Sequence, residues 1–273
     1  MVQVWLVDLE RSAALLEAVE TATPRLSDDD QVRIDALNDA DLKRQRRLTT
    51  IALRVLISAY SGGPEFDRLP FERLGNGKPV LPGAKLQFSI THAGERALVA
   101  LGSVVPLGVD VEVLRAVNMP NDRQQAIVRA ARTLGPFPQS EYTFEASDHR
   151  YRVLRAWVRL EALAKAHGCG IARVLAACGV LARSASVVRD APAFPANLDG
   201  GLSNGNPIIK DLVLPPGADG QPWFAALATF GSLDELGSQD EGDGATADPS
   251  AGVPEVRHLP TTQAGMAELL AGI

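Results

Sequence analysis

The spacing of apolar positions changes several times along the first 230 residues, and each change marks an expected element. Residues 2–9 read Val-Gln-Val-Trp-Leu-Val-Asp-Leu, an apolar run that predicts a buried first strand. Ser27 to Asp30 then supply caps and early acidic residues for a helix, and Val32, Ile34, Leu37 and Leu42 continue it with helical spacing. A second, strongly apolar helix is expected over about residues 41–60, where Ser61-Gly62-Gly63-Pro64 stops it. A turn at 75–79 precedes short strands at 86–90 and 97–102, which flank a Thr91-His92-Ala93-Gly94 bend. Residues 104–113 form another strand, interrupted by Pro106. Helices follow at about 123–134 and 149–165, with Gly168-Cys169-Gly170 breaking the second. A long connection over 183–206 leads to late strands at 208–214 and 223–230. Helices mixed with short strands in this order predict an α+β fold.

After Phe230 the pattern fades. Gly, Ser, Asp and Glu dominate residues 231–257, which offer too little apolar surface to offset chain entropy. An acidic, largely disordered tail is therefore expected over 231–273, with a short helix at 266–270.

Composition narrows the picture. The chain has 273 residues and a formal net charge of −6, which argues against a generally basic nucleic-acid-binding surface. Basic residues nonetheless gather at Lys43, Arg44, Arg46, Arg47 and Arg54, either as a solvated helix face or as a site for small-ligand phosphates. The two cysteines, Cys169 and Cys178, fit no common zinc spacing, and a reduced, cytoplasmic setting follows. The N-terminal run has no basic segment before it, so it reads as a strand and not as a signal peptide. No apolar run is long enough to span a bilayer.

Two short patterns carry chemistry. Asp110 and Glu112 stand two residues apart on an expected strand and so share a face, where two carboxylates suit a hard divalent cation such as Mg²⁺. Glu161 and Lys165 stand one turn apart on an expected helix. A third carboxylate beside a lysine that can meet a phosphate completes the side-chain set of a phosphoryl-type transfer enzyme.

The ordered set of segments resembles the 4′-phosphopantetheinyl transferases, specifically the longer, single-chain surfactin-type group. The resemblance rests on Trp5, the Arg44 to Arg54 region, Gly77-Lys78-Pro79, Thr91-His92, Gly108-Val109-Asp110-Val111-Glu112, Trp157 to Lys165, Pro216-Gly217 and Ala225-Ala226-Leu227-Ala228. It implies two similar α/β subdomains packed as an intramolecular pseudo-dimer, residues 1–105 and 106–230, in a monomeric protein that needs neither nucleic acid nor membrane. It implies transfer of the 4′-phosphopantetheine arm of coenzyme A to a serine of an apo acyl, peptidyl or aryl carrier protein, with release of adenosine 3′,5′-bisphosphate. Asp110, Glu112 and Glu161 would hold Mg²⁺, and Glu161 and Lys165 would act in the transfer. Arg46, Arg47, Arg54, Lys78, Thr91, His92 and Lys165 would contact coenzyme A.

Three positions depart from the family pattern. Leu160 replaces a common lysine, Ala93 replaces a common serine, and residues 114–150 lack a family pattern. Two rival classes share part of the motif set: a coenzyme A-binding or carrier-binding homologue without turnover, and an unrelated Mg²⁺-dependent phosphohydrolase.

Overall fold

The computed structural model describes residues 2–61, 66–74, 77–103, 105–137, 148–181, 207–230 and 255–271. The expected connection at 183–206 and the acidic stretch at 231–254 lie outside these residues.

The first half begins with strand β1 (Gln3–Asp8), followed by helices α1 (Ala13–Ala22), α2 (Asp28–Asp35) and α3 (Ala40–Ser61). The Ser27 cap is a full capping box: its hydroxyl accepts from the Asp30 N–H, and the Asp30 carboxylate accepts from the Ser27 N–H. Helical spacing through Leu42 predicts one longer helix here, but α2 stops at Asp35. The Asp39 carboxylate accepts from the Leu42 N–H at 2.8 Å and so starts α3 afresh. A continuous run from Leu48 to Ser58 in α3 is buried, which makes this helix the spine of the first core. The short strands β2 (Glu72–Arg73) and β3 (Pro79–Val80) pair with each other, and the hairpin β4 (Gln87–Ala93)–β5 (Arg96–Gly102) closes the half. The expected bend at 91–94 is narrower than predicted, since β4 runs on through Ala93 and only Gly94 and Glu95 turn.

The second half opens on β6 (Leu107–Val113), continues through α4 (Asn121–Arg132), α5 (His149–His167) and α6 (Ile171–Ala177), and ends with β7 (Pro207–Leu212) and β8 (Trp223–Phe230). Gly168 terminates α5 in the left-handed region at φ 67°, as a C-terminal glycine does.

Each half threads its sheet the same way. In the first, β5 lies between β4 and β1, antiparallel to both. In the second, β8 lies between β7 and β6, again antiparallel to both.

Strand alternation sorts the cores. Trp5 and Val7 face the helices of the first half, while Val2, Val4 and Leu6 face the second half. There they meet Leu107, Val109, Val111, Ala225 and Leu227, so a third core lies between the two sheets. The other face of β6 carries Gly108, Asp110 and Glu112.

The end of the chain corrects an expectation. Residues 255–271 are not part of a structureless tail: β9 (Val256–His258), a strand not among the expected elements, pairs in parallel with the outer edge of β1, and α7 (Gln263–Ala271) covers the short helix expected at 266–270. Met266 of α7 is buried in the first core, with Leu269 and Leu270 packed against it. The polar composition concealed this because an edge strand of three residues needs few apolar side chains, its backbone hydrogen bonds supplying the contact.

Candidate active site

The site is built where β6 crosses α5. Gly108 lets the two backbones touch: a Cβ placed there would lie 1.8 Å from the Ala162 carbonyl oxygen and 2.4 Å from the Ala166 nitrogen. With a glycine at that point, Asp110 and Glu112 on the same strand face stand opposite Glu161 and Lys165 on the helix.

Two cavities adjoin this crossing. The smaller, of about 230 Å³, is lined by Asp110, Glu112, Glu161, Trp157, Thr91, His92 and Lys165. The larger, of about 640 Å³, lies between the halves and has Arg33, Arg46, Arg73, Lys78 and Lys165 in its walls. Among the described residues that line it, the carboxylate is Asp30, already held by Arg54. Lys165 stands in the wall of both. One cavity is thus rich in cations, its neighbour in carboxylates, and a single lysine joins them.

Within the smaller cavity the Lys165 ammonium donates to Asp110 Oδ1 at 2.7 Å and to the Val109 carbonyl at 3.2 Å. The Thr91 hydroxyl donates to the same Asp110 oxygen at 2.9 Å. Burial pushes the Asp110 carboxyl up, against the opposing pull of Lys165 and Thr91. Glu112 is held by the Arg115 guanidinium through two hydrogen bonds of 2.8 and 2.9 Å. Glu161 is pushed up to about 6, first by burial, then by the Asp110 charge, with Lys165 partly offsetting both. His92 is pushed down by burial and by Arg46 and Lys165, so its imidazole is mainly neutral at pH 7.

The Glu161 shift has a consequence for stability. Its carboxyl binds a proton more tightly in the folded chain than in the unfolded one, where the ordinary value is 4.5. The favourable contribution of the protonated form is full below pH 4.5 and is lost as pH rises through 6. Glu161→Gln is therefore expected to stabilise the metal-free chain at pH 7.5 by about 1 kcal/mol, after discounting for partial exposure, and to leave it unchanged at pH 4. Thermal unfolding at the two pH values checks this; equal shifts at both would refute it.

The set suits a divalent cation by its chemistry. Three carboxylates line one small cavity, and hard cations take oxygen ligands. Among the described residues, however, no three acidic, histidine or cysteine side chains are clustered closely enough to grip an ion as they stand. Asp110 and Glu112 are instead neutralised by the chain's own Lys165 and Arg115.

The arginines of α3 separate clearly. Arg46 faces the larger cavity. Arg47 donates to both oxygens of Glu17, at 2.8 and 2.9 Å, and to Gln31. Arg54 is completely buried, bonded to Asp30 at 2.6 Å and to the Leu69 carbonyl at 2.7 Å, with its guanidinium 3.8 Å from the Phe71 ring centre. Arg47 and Arg54 thus pin α1 and α2 to α3, and neither is among the residues lining these two cavities. Arg33 and Arg73 stand in the wall without having been singled out by sequence. Arg73 offered a faint signal, since it lies four residues before Gly77 and donates to the Gly77 carbonyl at 2.8 Å. Leu160 is fully buried in the second core, so the departure at this position takes no charge from either cavity of this chain.

No protein-family model matches the chain. A 4′-phosphopantetheinyl transferase from Salmonella typhimurium, AcpT, is 30% identical over 145 residues, a stretch covering 52% of this chain and 70% of that protein. With that identity and coverage, this chain belongs to the 4′-phosphopantetheinyl transferases.

Proposed function

We propose that this protein transfers the 4′-phosphopantetheine arm of coenzyme A to a serine of an apo acyl, peptidyl or aryl carrier protein, with Mg²⁺, as a single-chain member of the pseudodimeric, surfactin-type group. The observation that carries the reading is the position of Lys165 in the wall of both cavities. A nucleotide with several phosphates fits the cationic chamber, and its pyrophosphate would come to the lysine that borders the carboxylates. The like threading of the two sheets supports the subdomain division at about residues 105 and 230. The reading further takes the protein as a cytoplasmic monomer.

In this reading Arg33, Arg46 and Arg73 bind the phosphates of the adenosine end by forked hydrogen bonds. His92 and Lys165 orient the pyrophosphate. Asp110, Glu112 and Glu161 hold Mg²⁺, which would offset the pyrophosphate charge as the anhydride breaks. The carrier serine oxygen bonds to the phosphorus nearer the pantetheine arm. The bond from that phosphorus to the bridging oxygen breaks, and its electron pair leaves with adenosine 3′,5′-bisphosphate. Glu161 takes the serine proton directly or through water.

The test is incubation with coenzyme A, Mg²⁺ and a panel of apo carriers, followed by intact mass. A gain of one phosphopantetheine on a carrier serine is expected. Coenzyme A binding with no gain on any carrier would favour a non-catalytic homologue, and release of inorganic phosphate from simple phosphoesters would favour a phosphohydrolase.

A further inference from the structure

Lys78 resembles a coenzyme A ligand in sequence, yet its ammonium is engaged elsewhere. It donates to the Leu107 carbonyl at 2.9 Å and to the Ala166 carbonyl at 3.3 Å. Leu107 opens β6, one residue before the glycine on which α5 rests. Ala166 lies in the last turn of α5, one residue after Lys165. Carbonyls in that turn lack helical partners, and a cation there is favoured by the helix dipole. Lys78 itself belongs to the first half, on a turn closed by hydrogen bonds from the Gly77 N–H to the Leu74 carbonyl and from the Leu74 N–H to the Lys78 carbonyl. Gly77 adopts φ 88°, which a side chain would resist. The lysine thus reaches from one half onto the seam between two elements of the other.

We propose that Lys78 is a positioning residue: by bridging the carbonyls of Leu107 and Ala166 it locks the β6–α5 crossing that sets Asp110 and Glu112 against Glu161 and Lys165. The lock acts before any ligand arrives. It also ties the two halves at the edge of the larger cavity, so the width of that chamber depends on it. Gly108 permits the close approach of strand and helix, and Lys78 holds it.

The inference concerns the fold of this chain, and only its metal readout rests on the proposed function. Lys78→Met removes the ammonium and keeps most of the apolar stem. Two measurements on the full chain without coenzyme A distinguish positioning from phosphate contact. The first is amide hydrogen exchange at Gly168 and Cys169, whose N–H groups close the end of α5 on the Lys165 and Ala164 carbonyls. Exchange about tenfold faster than wild type is expected, the loss of roughly one hydrogen bond. The second is Mn²⁺ binding followed by electron paramagnetic resonance, where affinity should fall by a similar factor, about tenfold. Wild-type exchange in Lys78→Met, with a change only in coenzyme A affinity, would overturn the proposal. If wild type binds no Mn²⁺, the cation site fails and the exchange comparison still decides the role of Lys78. Should Lys78→Met not fold, Lys78→Leu, which also lacks a donor and keeps part of the apolar stem, carries the same comparison.

Discussion

Asp110→Asn is expected to lower carrier modification by roughly 10³-fold, equivalent to about 4 kcal/mol of barrier, while the protein stays folded. The asparagine has nearly the same shape and can keep an oxygen toward the Thr91 hydroxyl and the Lys165 ammonium, both of which now reach Asp110 Oδ1. What it loses is the negative charge. In the metal-free chain the change takes a carboxylate partner from Lys165, but it also removes a buried charge that burial disfavours and that opposes ionisation of Glu161, so the two effects offset and the stability change should stay within about 2 kcal/mol. With coenzyme A and Mg²⁺ present the loss is felt fully, because an amide is a far poorer ligand for a hard cation than a carboxylate. Thermal unfolding and intact-mass kinetics on the same preparation separate the two effects. Turnover within a few-fold of wild type would remove Asp110 from the site.

Gly108→Ala is the second large effect, and it works through the backbone. The added methyl would sit 1.8 Å from the Ala162 carbonyl oxygen and 2.9 Å from its carbon, so helix α5 would have to retreat by roughly 1.5 Å to reach ordinary contact. Neither neighbour can rotate away, because both are main-chain atoms. A cost of about 3 kcal/mol is expected, which lowers Tm by roughly 6–12 °C for a chain of this size. The retreat carries Glu161 and Lys165 with it, and a shift of about 1 Å at a reacting centre costs on the order of 10² in rate. Turnover measured well below the lowered Tm should therefore fall by about that factor. Wild-type Tm and wild-type turnover together would show that the crossing tolerates a side chain and that its closeness is not what sets the site.

The placement of four candidate residues together was legible because their signals are local. Asp110 and Glu112 share a strand face by the two-residue repeat, and Glu161 and Lys165 share a helix face by the four-residue repeat. All four meet around one cavity. The cation lining of the larger cavity was less legible. Arg46, Arg47 and Arg54 look alike in sequence, and their fates turn on partners far along the chain: Glu17 claims Arg47, and Asp30 claims Arg54. Arg33 and Arg73 come from separate elements that only the packed fold brings to one wall. Lys78 illustrates the same limit from the other side, since its acceptors are backbone carbonyls, and any sequence provides those. The C-terminal strand and helix were partly hidden for a related reason: β9 gains its place through the open edge of β1, a property of the sheet and not of the residues that dock there.

The central claim is that the carboxylates of β6 and α5 share one cation beside Lys165. Anomalous scattering from Mn²⁺ in crystals grown with coenzyme A tests it most directly. The account predicts a single strong peak in the smaller cavity, coordinated by Asp110, Glu112 and Glu161 and by phosphate oxygens of a coenzyme A whose adenosine end lies in the larger cavity. A peak bound by other residues, or a Glu161 side chain that stays clear of the metal while Mn²⁺ is bound, would contradict it.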